Sequence, residues 1–221
     1  MDSVGATFRV TKDLDIVLCI ESLNNSFVNK FWEFINKGKY HNQQKSTGRK
    51  LFYRYYDPED TSFPEMIELF SRKPDVLDIP EGSVLTPIPT DEDVSSLSAI
   101  LLDDDYYAFI REGKIIIDDI AIIKPEYIIP LKAKAWLDLT KKYRHSDTID
   151  RKTIKKHKND IFRLYQIIDP GVKVLLSVTI LKDMGTFFDL IKQDDTINLE
   201  AFGIKGITLT DVIRQLEAIY S

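Results

Sequence analysis

Two carboxylates, Asp13 and Asp15, open the first apolar stretch of the chain, Asp13-Leu14-Asp15-Ile16-Val17-Leu18-Cys19-Ile20. From Leu14 onward every second residue is apolar, the period of a strand with one buried face. Side chains two apart on a strand project from the same face, so Asp13 and Asp15 stand side by side. Carboxylates that close repel one another unless a cation lies between them. A divalent ion is the simplest partner, because Mg²⁺ takes hard oxygen ligands, typically one or two carboxylates plus substrate phosphates. A lone pair of this kind is more often a solvated strand start, so its company matters.

Glu68 supplies that company. In Met66-Ile67-Glu68-Leu69-Phe70 the acid shares a strand face with Met66 and Phe70, while Ile67 and Leu69 take the other. An acid among apolar neighbours is costly to bury unless it is paired or bound to metal. The alternative is an edge-strand glutamate facing water. If Glu68 lies beside Asp13 and Asp15 in one sheet, the three acids form a two-metal site that stabilises the attacking and leaving oxygens of a phosphoryl or nucleotidyl transfer.

The elements that must position these acids follow from periodicity. Phe27, Phe31, Phe34 and Ile35 recur at helical spacing over 24–37, with Asn24, Asn25 or Ser26 to cap the start and Gly38 to end it. Lys50 to Tyr56 and Glu65 to Ser71 read as strands, and Pro74 to about Asp93 as a linker rich in Pro and Asp. Val94 to Arg111 reads as a helix that includes Asp103, Asp104 and Asp105 as a solvated face. Lys114 to Ile117 and Ile120 to Ile123 form a hairpin about Asp118-Asp119. After Pro125 the pattern is helical, with an apolar stripe of Leu131, Ala135 and Leu139. A second helix spans 150–168, and the tail from Gly171 holds two more with a break from Gly203 to Gly206. The expected fold class is α+β, a mixed sheet with flanking helices over residues 1–123 followed by a helical half over 124–221.

Composition bounds what such a chain can be. It has 221 residues, 43% hydrophobic and 29% charged, with a net charge of −5, which is too apolar for a disordered chain. Its apolar runs fall far short of the roughly 20 residues of a membrane span. Asp2, Asp13 and Asp15 sit where a secretory signal needs a basic start and an apolar core. One cysteine, Cys19, excludes an internal disulfide and any CxxC metal site. A cytoplasmic protein without membrane attachment is expected. The charge is also segregated: from Asp57 to Asp105 there are fourteen Asp or Glu against Arg72 and Lys73, and from Lys141 to Arg163 nine Lys or Arg against three Asp. Such runs are usually solvated faces. Here they could also frame a metal-and-phosphate site.

Arg9-Val10-Thr11-Lys12-Asp13-Leu14-Asp15-Ile16-Val17-Leu18 resembles the DxD strand of polymerase-β-type nucleotidyltransferases, and within them is most similar to the bacterial AbiEii-like group, which includes toxins of type IV toxin–antitoxin systems. The resemblance covers roughly residues 4 to 168. It maps Glu68 onto the superfamily's third carboxylate. Lys132, in Pro125-Glu126-Tyr127-Ile128-Ile129-Pro130-Leu131-Lys132, falls on the group's functional lysine, and Asp160, in Lys156-His157-Lys158-Asn159-Asp160-Ile161, on the second acid of its later KDxxD motif. His157 stands where that motif has its first acid. The resemblance implies Asp13, Asp15 and Glu68 on Mg²⁺ or Mn²⁺, a nucleoside triphosphate donor, and Lys132 with Gly5, Arg9 and Lys12 toward the triphosphate. It further implies transfer of a nucleoside monophosphate to an RNA or protein hydroxyl, and an antitoxin partner if the chain acts as a toxin.

Two alternatives stay open. Val4-Gly5-Ala6 replaces the family's Gly-Gly or Gly-Ser, which favours a member that binds a nucleotide or a partner without catalysis. Asp13-Leu14-Asp15-Ile16-Val17 also matches the DxDx[TV] pattern of haloacid-dehalogenase-type phosphatases, although there the apolar strand precedes the acids. On residue type alone, Lys132 reads equally as a surface lysine beside the buried stripe. His157 reads as a core histidine.

Overall fold

Alternation and pairing partners decide the sheet. The computed structural model describes residues 12–19, 21, 23–44, 50–75, 85–88, 97–145 and 150–220. Its strands β1 (Asp13–Val17), β2 (His41–Gln44), β3 (Lys50–Tyr56), β4 (Met66–Ser71), β5 (Leu85–Ile88) and β6 (Leu97–Leu101) form one mixed sheet. β4 pairs in parallel with β1 and β6 and antiparallel with β3. The Phe70 carbonyl accepts from the Leu18 N–H and the Ser71 carbonyl from the Leu102 N–H, both at 2.8 Å. Successive carbonyls of a strand point to opposite edges, so β1 and β6 flank β4 on opposite sides. β3 and β6 therefore share one edge of β4, taking its two ends, and β1 has the other edge to itself.

Helix α1 (Asn25–Gly38) covers one face of this sheet. The Asn24 side chain caps it by accepting from the Phe27 N–H. Val28, Phe31 and Ile35 on α1 pack against Leu18, Tyr55, Ile67, Leu69 and Ala99 in one buried cluster. Burial along β1 deepens with the chain: Leu14 is exposed, Ile16 half-buried and Leu18 buried. Gly38 is the last residue of the helix, as expected. Lys39 takes the left-handed turn (φ 51°) that follows. Gly38 is needed for another reason, since a Cβ there would lie 2.6 Å from the Tyr40 ring and 2.9 Å from Phe63. The Tyr40 ring cannot easily give way, because its hydroxyl donates to the Pro64 carbonyl at 2.6 Å.

Two expectations over 74–111 are corrected. The stretch taken as a linker contains β5, and the expected helix from Val94 is β6 followed by the shorter α2 (Asp104–Glu112). Leu97, Ala99 and Leu101 alternate, and backbone pairing with β4 and β5 satisfies a strand there in place of a helix. β5 tolerates Pro87 because it is an edge strand. Asp103 and Asp104 are exposed, as a solvated face requires, and the acids stand at the start of α2: the Asp103 side chain accepts from the Asp105 N–H and its carbonyl from the Tyr107 N–H.

The described residues up to Tyr107 form one compact unit and those from Ala108 another, so the division falls earlier than the 123/124 boundary expected from sequence. The reason is that the hairpin β7 (Lys114–Ile117) and β8 (Ile120–Ile123) is a separate two-stranded sheet. Phe109 also packs its ring at a tilt against Tyr127, with ring centroids 4.7 Å apart, on the second unit's own first helix. Asp118 and Asp119 both take positive φ (48° and 62°), as a two-residue type I′ turn demands.

The rest of the second unit is helical: α3 (Pro125–His145), α4 (Arg151–Tyr165), α5 (Val178–Ile191) and α6 (Leu209–Ile219). In α3 the buried positions are Ile129, Ala133 and Trp136, not the Leu131, Ala135 and Leu139 stripe read from sequence. Trp136 is held edge-on against Phe187 of α5 at 5.5 Å, which fixes that rotation. Lys158, expected on a basic surface, is buried and bonded to Asp194, which also accepts from Thr196. Gly203 and Gly206 carry positive φ at the expected break. Among the described residues no helix is long and apolar enough to cross a membrane. The chain is thus of mixed helix and sheet, compatible with the α+β class.

Two stability outcomes follow. Gly38→Ala forces the pinned Tyr40 ring to move and lowers unfolding free energy by about 1–3 kcal/mol, read from chemical denaturation. Burial alone would raise the Asp194 carboxyl, but bonds from Lys158 and Thr196 outweigh it and hold it below its ordinary 3.8. Its stabilising contribution is therefore complete above about pH 5 and is lost as pH falls further, where the unfolded chain takes up the proton first. Asp194→Asn should accordingly be less stable than wild type at neutral pH, with the gap narrowing as pH falls below about 5 in denaturation series. A gap that stays constant with pH would show that the carboxylate's charge is not what stabilises.

Candidate functional site

The parallel pairing of β1 with β4 sets Asp13 opposite Met66 and Asp15 opposite Glu68. In-register residues on neighbouring strands lie about 4.8 Å apart and project from the same face. Asp13, Asp15 and Glu68 thus share the face opposite α1. On β3, Arg54 is directly opposite Glu68 and belongs to that face as well. Glu68 is the central residue of this row, with Asp15 across one edge and Arg54 across the other.

The electrostatics of the row are uneven. Arg54 contacts one oxygen of Glu68 twice, Nε to Oε1 at 2.7 Å and Nη2 to Oε1 at 2.5 Å. The Glu68 side chain is 14% exposed and that of Arg54 39%. Among the described residues Glu68 Oε2 accepts no hydrogen bond. Asp15 is exposed and Asp13 half-buried. Lys12, at the start of β1, is ion-paired with Glu65 on the exposed surface, and its carbonyl accepts from the Glu65 N–H. That pairing locks the register at the end of β1 where the acids stand.

The donor chemistry of Asp13 and Asp15 fits a hard divalent cation completed by substrate phosphates. Glu68 is committed to Arg54, and among the described residues no three His, Cys, Asp or Glu side chains converge on one point. The three acids expected as a metal set are therefore brought onto one face and into register, but their carboxyl groups are not gathered.

Gly5 and Arg9 fall outside the described residues. Lys132 and Asp160 belong to the second unit, on α3 and α4, both half-buried. Asp160 accepts from Arg163 at 2.9 Å, one turn further along its own helix. Two residues beyond Lys132, Lys134 lies between Asp138 and Asp183 at 3.3 Å from each. Burial there works against the charge of Lys134, but the two acids prevail and raise its ammonium above the usual range. Arg54 is the residue that sequence reading missed. Its signal is a charge inside the aromatic run Leu51-Phe52-Tyr53-Arg54-Tyr55-Tyr56, two residues from Tyr56 on the same face. Comparison of the chain with family models, with curated proteins and with solved structures returned no match.

Proposed function

We propose that the chain is a metal-dependent nucleotidyltransferase, with Asp13 and Asp15 as the carboxylates that hold Mg²⁺ or Mn²⁺ and the phosphates of a nucleoside triphosphate. The observation that carries this reading is the register of Asp15 with Glu68 on adjacent parallel strands, on a sheet face that α1 does not cover. A bound ion would neutralise charge on the reacting phosphate. Glu68 adds the third carboxylate, as a ligand or as the base that takes the acceptor's proton. The acceptor hydroxyl, on RNA or protein, forms the new bond to the α-phosphorus as the bond to pyrophosphate breaks in line. Lys132 is proposed to meet triphosphate charge and Asp160 to act with it. The finer fold assignment, a nucleotidyltransferase-like sheet, is part of the same proposal, as is an antitoxin partner.

One observation favours a second reading. Arg54 already neutralises Glu68, which is what a member that binds nucleotide or a partner without catalysis would retain. The phosphatase alternative is less well supported, because Asp13 is the first residue of β1 and the apolar strand follows it. It needs a phosphoaspartate at Asp13, which beryllofluoride would mimic.

Incubation with α-labelled nucleoside triphosphates, Mg²⁺ and total cellular RNA or protein tests the main reading. Wild type should transfer label to a macromolecule. Asp13→Asn/Asp15→Asn should lose about 10²-fold or more of that rate, the scale of removing one preorganised charge-stabilising group. Nucleotide binding with no transfer by wild type would select the non-catalytic reading. Equal transfer by wild type and the double variant would sink the assignment of the acidic pair.

A further inference from the structure

Arg54 is held in an unusual way for a cross-strand ion pair. Both contacting nitrogens reach the same oxygen, Glu68 Oε1, so the guanidinium fork is not matched to the two oxygens of the carboxylate. Among the described residues Nη1 donates to nothing, and Glu68 Oε2 accepts nothing. Arg54 is the more exposed partner, with 39% of its side chain accessible against 14% for Glu68. It can leave its acid toward solvent while the acid stays in the sheet. Across the other edge of β4, Asp15 and Asp13 are the acids that a cation would approach.

We propose that Arg54 is the resident counter-cation of this face, a positioning residue that holds Glu68 when no phosphate is bound and exchanges it for phosphate oxygens of the incoming triphosphate. The inference rests on the cation site of the proposed function and deepens it, naming what controls the third carboxylate. A guanidinium bound to Glu68 opposes a divalent ion at that carboxylate by direct charge repulsion. It also offers triphosphate a planar fork that matches two phosphate oxygens, which Glu68 Oε1 alone does not use. In the free protein, therefore, metal affinity is low and set by Asp13 and Asp15. Phosphate draws Arg54 away, and Glu68 then becomes available beside Asp15.

The test needs no turnover. Mn²⁺ binding is titrated without nucleotide, following free Mn²⁺ by electron paramagnetic resonance, and inorganic tripolyphosphate binding is measured separately by calorimetry. Arg54→Met, which keeps the apolar stem, should bind Mn²⁺ about tenfold tighter than wild type and tripolyphosphate about tenfold weaker. Arg54→Met/Glu68→Gln should lose the gain in Mn²⁺ affinity. Arg54→Lys, which retains the charge without the fork, should match wild type toward Mn²⁺ yet bind tripolyphosphate less well. Far-ultraviolet circular dichroism melts confirm that each variant is folded. Unchanged or weaker Mn²⁺ binding by Arg54→Met, or unchanged tripolyphosphate binding, overturns the role of Arg54 while leaving the cation site standing. Equal Mn²⁺ binding by wild type and Asp13→Asn/Asp15→Asn overturns the cation site, and the role of Arg54 with it.

Discussion

The parallel pairing of β1 with β4 is the constraint on which the first unit depends. A strand side chain faces one side or the other with a strict period of two, so one choice of register fixes both faces together. With Asp15 opposite Glu68, Ile16 falls beside Leu69 and, with Leu18 and Ile67, on the α1 face, and the acids fall on the other. A one-residue slip would turn Ile16 and Leu18 outward and drive the two carboxylates into the core. Hydrophobic burial under α1 thus enforces the juxtaposition of acids, although no acid takes part in that burial. The Lys12–Glu65 pair and the bond from the Glu65 N–H to the Lys12 carbonyl reinforce the same register at its first residue.

A face with Asp13, Asp15 and Glu68 on adjacent strands carries concentrated negative charge, and the fold meets part of it with Arg54. Antiparallel pairing of β3 with β4 sets Arg54 opposite Glu68, where cross-strand opposite charges contribute about 0.2–1 kcal/mol. That modest stabilisation suits an exchangeable partner better than a permanent one. Arg72 shows the contrasting case. It binds Asp75 through two nitrogens and two oxygens, also reaches Glu21, and its protonation is strongly favoured by those bonds. Arg72 is a fixed structural hub, whereas Arg54 engages a single oxygen.

In the second unit the comparable constraint is aromatic packing. Trp136 against Phe187, and Phe162 stacked on Phe202, set which side of α3 and α4 is buried. The Tyr220 hydroxyl donates to the Glu126 carbonyl at 2.7 Å and ties the end of the chain to the start of α3, and burial pushes that phenol far above its usual range. Lys158 shows what composition cannot reveal. It sits in a basic run that reads as solvated, yet tertiary packing buries it and Asp194 supplies its counter-charge.

From the sequence alone, period and punctuation determined α1 with a cap among Asn24, Asn25 and Ser26, β1, β3 and β4, the turn at Asp118-Asp119, and the two-residue spacing that puts Asp13 and Asp15 on one face. These are local properties, written in neighbouring residues. The strand β6 in place of a helix, the rotation of α3, the burial of Lys158 and the partner of Glu68 were decided only by tertiary structure. Each depends on a residue distant in sequence: β4 and β5 for β6, Phe187 for Trp136, Asp194 for Lys158. Most tellingly, the sequence displayed Glu68 as an acid in need of a counter-charge and suggested a metal. Only the β3–β4 register showed that Arg54 already supplies one.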